Sequence, residues 1–259
     1  MGPLGEGKTE ERLPLNVGVD IGKIHDPSTV CVCEVSQVDT GRVKYFPNPD
    51  MGRHNERGEW IAPKISESVM RTEYTVRFIK RLPLNTSYPD VAIYIANMLD
   101  NELFKNRNVR VLIDTTGVGS PVYDSLKSEI MLRLNNARIE QSFQTGLTWK
   151  IGKHTLQLKP ISFVHGEMYN RSKGTLGKAF LVSRMQSILQ ERRFHAPDTQ
   201  EVKAMIDELL VYEIKVSNEG KDTYGAFKTG AHDDLATAAA LSCLESPYRD
   251  KVSYSERVF

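Results

Sequence analysis

Three acidic segments, spread along the chain, carry residue types and spacings that could do chemistry. Asp20 closes the apolar run Val17-Gly18-Val19 and is followed by Ile21-Gly22, and Asp114 closes Val111-Leu112-Ile113 and is followed by Thr115-Thr116-Gly117. Asp233 and Asp234 follow His232 at the head of an alanine-rich segment. An acid that closes a β-prone apolar run, with glycine soon after, sits where strand gives way to turn. That is the sheet edge at which α/β proteins bind ligands. Carboxylates gathered in one place repel, so a cluster of three needs a counter-charge. Hard divalent cations with oxygen ligands, Mg²⁺ or Mn²⁺, meet that need. Two such ions in an acidic cleft could cleave a phosphodiester.

Each acid also has a plain structural use. An Asp after a strand can hydrogen-bond its own turn, and an Asp pair at a helix start is favoured by the helix dipole. Context separates the two uses. Gly18 and Gly22 flank Asp20 and let other groups come close to its backbone. Asp114 ends a continuously apolar run that reads as a central strand buried on both faces. Leu235-Ala236-Thr237-Ala238-Ala239-Ala240 is small enough to lie against a sheet, which would bring its acidic first turn to the strand-end acids. Only one of the adjacent aspartates can point squarely at such a cluster. Asp234 is expected to be the ligand, with Asp233 as a cap, a group behind the ligand or its alternate. His232 is expected to be structural or to touch nucleic acid. Lys178, Arg184, Arg192, Arg193 and Lys228 are candidate phosphate contacts that read equally well as solvated helix faces.

Elements must bring these acids together. Leu15–Asp20 and Thr29–Val35 read as an antiparallel strand pair joined by a turn, with Val43–Phe46 continuing the sheet. Pro47–Gly58 reads as a surface loop and Thr72–Leu82 as another strand. Ser87 and Pro89 mark a helix start, followed at helical spacing by Val91, Ile95, Met98, Leu99 and Leu103. Val109–Ile113 is the central strand, a helix runs from Ser120 to about Leu134, and Ala137–Phe143 is a strand. Leu147–Lys173 is poorly legible, with strand-like pieces at Thr155–Leu158 and Ile161–Val164. A helix covers Leu176–Arg192, and another, with Asp198 and Glu201 as its capping pair, ends at Leu210. Val211–Val216 and Thr223–Lys228 flank Asn218-Glu219-Gly220 as a hairpin. The last helix starts at Asp233 or Asp234 and stops before Pro247. The pattern is that of an α/β domain with a mixed sheet.

Composition narrows the classes. The 259 residues are 40% hydrophobic, ample for a core. No apolar stretch is long enough to cross a membrane, and the start of the chain lacks an apolar signal segment. A net charge of +1 gives no general pull toward nucleic acid, so any DNA surface must come from local clustering. Cys31, Cys33 and Cys243 cannot all pair with one another and read as reduced core thiols. Cys31 and Cys33 are expected on opposite sides of their strand. Gly2, Gly7, Lys8 and Thr9 fit the spacing of a phosphate-binding loop, but no strand precedes them and Pro14 follows where a helix should run. Residues 1–14 read as a linker or cloning remnant, 15–246 as one domain, and 247–259 as a tail.

Taken in order, three segments resemble the C-terminal nuclease domain of tailed-phage large terminase subunits. They are Gly18-Val19-Asp20-Ile21-Gly22 with His25-Asp26-Pro27-Ser28-Thr29-Val30, Ile113-Asp114-Thr115-Thr116-Gly117-Val118-Gly119, and Gly230-Ala231-His232-Asp233-Asp234-Leu235-Ala236. The resemblance runs from about Leu15 to Leu244 and takes in Leu176-Gly177-Lys178 and Glu208-Leu209-Leu210. It implies a ribonuclease-H-like fold, a central mixed sheet flanked by helices with an added hairpin before the last helix. It also implies an endonuclease that cuts concatemeric double-stranded DNA with little sequence preference during viral genome packaging. Two Mg²⁺ or Mn²⁺ ions would serve it, held by Asp20, Asp114 and Asp234 as the catalytic acids. The implied partners are a packaging ATPase domain, a small terminase subunit and the portal or procapsid, in the host cytoplasm and with no membrane. With no strand-borne phosphate loop, the chain is expected to be the nuclease domain alone. Pro47–Gly58 and Leu147–Lys173 are departures, to which the resemblance assigns no matching part. An actin-like ATPase or phosphotransferase is one rival, since Asp20 and Asp114 resemble its phosphate loops, but its glycine-rich adenosine segment is missing. A junction resolvase or other ribonuclease-H-like nuclease is a second rival. A non-catalytic DNA-docking module is a third, which acids at all three places argue against.

Overall fold

Strands with β-branched, apolar residues at alternate positions pair edge to edge here into one mixed sheet. The structure, a computed structural model, describes residues 12–22, 26–47, 52–61, 64–134, 138–142, 146–165, 168–211, 213–216, 222–225 and 233–248. In chain order the elements are β1 (Leu15–Asp20), β2 (Thr29–Pro47), β3 (Arg53–His54), β4 (Trp60–Ile61), β5 (Lys64–Arg81) and α1 (Tyr88–Leu99). β6 (Val109–Asp114), α2 (Gly119–Arg133), β7 (Arg138–Ser142), β8 (Gly146–Ile151), β9 (His154–Val164) and β10 (Thr175–Gly177) follow. The last are α3 (Lys178–Gln190), β11 (Phe194–His195), α4 (Gln200–Val211), β12 (Glu213–Val216), β13 (Asp222–Gly225) and α5 (Asp234–Ser242). The main sheet runs β11-β5-β2-β1-β6-β9-β8-β7, with β10 beside β9. β1, β6 and β9 are mutually parallel in its middle, and β2 and β5 form an antiparallel ribbon on one side.

Alternation along the strands sends one set of side chains to each face. Val17, Val19, Val30, Val32, Val111 and Ile113 pack under α1 and α2, against residues such as Val91, Ile95, Val122 and Leu126. The other face lies under α3, α4 and α5. There Cys31, Cys33 and Val76 meet Leu235, Ala238, Ala239 and Cys243, and Leu112 and Ile161 meet Leu181, Ala240 and Leu241. The molecule is thus a sheet between two helical layers. Every residue of α5 is buried.

Several expected boundaries move, each for a physical reason. β2 and β5 are each far longer than their apolar runs, because their outer halves form an exposed two-stranded ribbon that no core pattern marks. The expected Val43–Phe46 strand is the far end of β2, beyond an irregularity between Asp39 and Val43. α1 starts as expected, with the Asp90 N–H donating to Ser87 Oγ at 3.3 Å, but it stops at Leu99, so Leu103 lies in a turn. The two strand pieces within Leu147–Lys173 are one strand, β9. Pro160, which has no N–H to give, sits between the end of the β8 pairing at Leu158 and the start of the β10 pairing at Ser162. At the start of α4 it is Thr199, not Asp198, that caps: its Oγ1 accepts from the Val202 N–H at 3.3 Å. The hairpin β12–β13 is antiparallel as expected, and its tip lies outside the described residues. Cys31 and Cys33 share a face rather than opposing one another, since residues two apart on a strand point the same way. All three cysteines are buried thiols.

Candidate active site

β1 turns Asn16, Gly18 and Asp20 toward α5, the face opposite Val17 and Val19. The side-chain amide of Asn16 donates to the carbonyls of Ser242 and Glu245, at 2.9 and 2.7 Å, so the helix end lies over the start of the strand. Gly18 sits beneath Ala238, so close that a Cβ there would lie 2.0 Å from the Ala238 carbonyl oxygen. From Gly18 to Asp20 is about 6.6 Å of strand, and from Ala238 back to Asp234 is about 6 Å of helix. The antiparallel course of α5 along β1 therefore carries its acidic start to Asp20.

The sheet register lines up the rest. Thr29 is paired with Asp20, and Arg81 with Thr29. On the other side Val19 is paired with Ile113, which puts Asp114 beside Asp20. Arg81, Thr29, Asp20 and Asp114 so form a row across four neighbouring strands at one edge of the sheet, about 4.7–4.9 Å apart from strand to strand.

Each acid is held differently. Asp114 Oδ1 accepts from the Thr116 N–H at 2.7 Å, fixing the start of the loop into α2. That loop folds tightly: a Cβ at Gly119 would lie 1.9 Å from the Asp114 carbonyl oxygen. Asp234 is buried, and its Oδ2 accepts from Thr29 Oγ1 at 2.7 Å and Arg81 Nε at 2.8 Å. Arg81 also pairs with Glu208 of α4 through Nη2, and Glu208 Oε2 accepts the Ala236 N–H at 2.8 Å, in the first turn of α5. Asp233 stands nearer solvent, 3.8 Å from Lys178 Nζ. Lys178 opens α3 and lies over the Phe163 ring, 5.4 Å from its centroid.

Asp20 feels the whole group. Burial first, then the charges of Asp114 and Asp233, push its carboxyl well above the usual carboxylate range; Lys178 opposes this, and Asp234 adds a smaller push. Among the described residues the acids do not close into a ready metal cage. They are neighbours in one another's field, with their repulsion only partly relieved. An all-oxygen donor set under excess negative charge fits a hard divalent cation.

This field has a consequence for stability. A carboxyl whose folded pKa is raised contributes stability below its unfolded pKa, about 3.9, and loses it as pH rises through the folded value. Asp20→Asn keeps the uncharged state at every pH. Without divalent cations the variant is expected to melt above the parent at pH 7, by about 2–4 °C for each kcal/mol of repulsion removed. The gap should close toward pH 4. Melting curves from pH 4 to 8 test this, and a gap that does not change with pH contradicts it.

The structure brings together Asp20, Asp114, Asp233, Asp234 and Lys178. It does not bring the arginines there. Arg184 faces inward, donating to the Cys243 carbonyl at 2.8 Å and to Tyr74 Oη at 3.1 Å. Arg192 and Arg193 follow the far end of α3, about 20 Å of helix beyond Lys178, and Arg193 pairs with Glu191 at 2.8 Å. Lys228 and His232 lie outside the described residues. Thr29, Arg81 and Glu208 take part without having been singled out for chemistry. Thr29 and Glu208 fell within the resembling segments, but Arg81 carries no local signal, because its place depends wholly on the β2–β5 register.

No protein-family model matches the chain, and no curated protein matches it in sequence. Solved structures do. The large terminase nuclease from thermophilic phage G20c with bound magnesium matches at a TM-score of 0.52 and 16% identity, over 90% of this chain and 82% of that one. The cobalt-bound form of the same phage protein matches at 0.52 and 15%, over 90% and 81%. This chain has the ribonuclease-H-like fold of the large terminase nuclease domains.

Proposed function

We propose that the protein is a metal-dependent endonuclease that cuts concatemeric double-stranded DNA, with little sequence preference, during viral genome packaging. The observation that carries this is the row of Asp20 and Asp114 beneath the acidic start of α5, which leaves Asp20 under repulsion that Lys178 only partly relieves. The fold shared with a phage nuclease solved with magnesium supports it.

Asp20, Asp114 and Asp234 would hold two Mg²⁺ or Mn²⁺ ions, with Asp233 beside them. When bound, such ions neutralise the scissile phosphate and activate water. The chain's own residues orient the ligands. The Thr116 N–H fixes Asp114, and Thr29 and Arg81 fix Asp234. Lys178, half-exposed beside Asp233, would meet a phosphate of the DNA backbone, a contact that positions without reading sequence. One observation favours exchanging the two helix-start acids: Asp233 weighs more heavily on Asp20 than Asp234 does. The packaging ATPase domain, small terminase subunit and portal or procapsid are the partners this reading supplies, in the host cytoplasm.

Supercoiled plasmid incubated with Mn²⁺ or Mg²⁺ provides the test. Nicked and linear products with 5′-phosphate and 3′-hydroxyl ends, scattered in position and lost with chelator, are expected. Uncut plasmid with both metals, or hydrolysis of a nucleotide instead, overturns the reading.

A further inference from the structure

Arg81 is the cationic end of the row that contains Asp20 and Asp114, and it is committed to two acids at once. Its Nε donates to Asp234 Oδ2 at 2.8 Å, and its Nη2 pairs with Glu208. Both carboxylates are nearly buried, their side chains 7% and 6% exposed, whereas Arg81 remains 31% exposed. Glu208 is tied in turn to the backbone of α5 through the Ala236 N–H. The chain β5–Arg81–Asp234 and the chain Arg81–Glu208–α5 therefore close a ring that grips the first turn of the helix bearing the acidic pair.

Charge makes the ring more than a clamp. A guanidinium in contact with a metal ligand, if unbalanced, would repel an incoming cation and compete with it for the carboxylate. Glu208 balances it. The pair Arg81–Glu208 is formally neutral, so Asp234 can be oriented by two hydrogen-bond donors while its negative charge stays available to the site.

Resting on the nuclease reading above, we propose that Arg81 and Glu208 are positioning residues that set the divalent-cation affinity of the site. Arg81 orients Asp234, and Glu208 cancels the charge of Arg81. Neither touches DNA or the reacting phosphate.

The test measures Mn²⁺ binding to the DNA-free protein by electron paramagnetic resonance, and plasmid cleavage against Mn²⁺ concentration. Glu208→Gln leaves Arg81 unbalanced and is expected to raise half-saturating Mn²⁺ about tenfold, the scale of one added unit charge in a partly screened site. The loss of cleavage should be much larger at low Mn²⁺ than at saturation. Arg81→Gln with Glu208→Gln removes both charges and is expected to recover most of the lost affinity. A clamp with no electrostatic role would fare worse in the double variant than in the single one, and that result overturns the proposal. Unmoved half-saturation in Glu208→Gln does the same. Should Glu208→Gln fail to fold, Arg81→Lys serves: it keeps the charge but cannot fork to both acids from one planar head. A several-fold rise in half-saturating Mn²⁺ then supports the proposal, and no rise overturns it. Wild-type protein that binds Mn²⁺ and cuts DNA while all variants behave alike sinks this inference alone. Wild-type protein that neither binds Mn²⁺ nor cuts DNA sinks the nuclease reading with it.

Discussion

Asn at position 20 or 114 is expected to slow plasmid cleavage by at least about 10²–10³-fold, the cost of losing one charge-stabilising group at a reacting centre. The change is nearly isosteric, and it removes negative charge from a place where that charge is already costly to the fold. Melting temperature should therefore hold or rise while activity collapses, which separates a chemical defect from a folding defect. Asp234→Asn should match the loss of activity, but with some loss of stability too. Its Oδ2 is the shared acceptor of Thr29 and Arg81, and the substitution weakens both bonds by taking the charge from the acceptor. Asp233→Asn loses the contact with Lys178 and a charge that bears on Asp20 but, among the described residues, no hydrogen bond like those that hold Asp234, and should keep more activity. Parallel cleavage and melting assays of the four variants decide the assignment. Full nicking by Asp234→Asn with an inactive Asp233→Asn would mean that the two helix-start acids exchange roles.

A single methyl group at Gly18 should cost about 3 kcal/mol, at the upper end of what overpacking does. The reason is what the methyl would meet. Its carbon would lie 2.0 Å from the Ala238 carbonyl oxygen and 2.5 Å from the Ser242 backbone nitrogen, neither of which can rotate away. α5 would have to lift from β1, opening the contact that buries its alanines. In a chain of this size the expected fall in melting temperature is about 6–12 °C. Cleavage should fall further than stability alone explains, because the same displacement carries Asp234 away from Asp20. Urea denaturation of Gly18→Ala checks the first part. A loss under about 1 kcal/mol would show that the helix yields easily at this crossing.

What was legible in the sequence was whatever local chemistry enforces. A β-branched run that ends in Asp and glycine can do little other than end a strand at a turn, so Asp20 and Asp114 were placed well. The alanine run announced a helix that must lie close to something, and Gly18 is where it does. The parts missed depend on pairing between distant segments. Arg81 faces Thr29 only because β2 and β5 pair in one register through an irregularity between Val32 and Cys33, and nothing near Arg81 encodes that. Only Val43–Phe46 of the outer ribbon is legible, because the rest mixes polar residues with exposed Val38 and Met70 and so shows no buried face to read. The choice between Asp233 and Asp234 turns on the rotation of α5 about its own axis, which packing along its whole length decides.

Helix ends ordinarily fray, yet this helix is tied down at both. Its start is gripped by Arg81 and Glu208, and just beyond its other end Glu245 is held by Lys159 at 2.8 Å and Arg110 at 3.2 Å. Every residue between is buried. The amides of α5 can then meet solvent only when the domain as a whole opens, so their exchange with deuterium reports global rather than local unfolding. The acidic pair thus sits at the head of the slowest-exchanging kind of element a fold possesses.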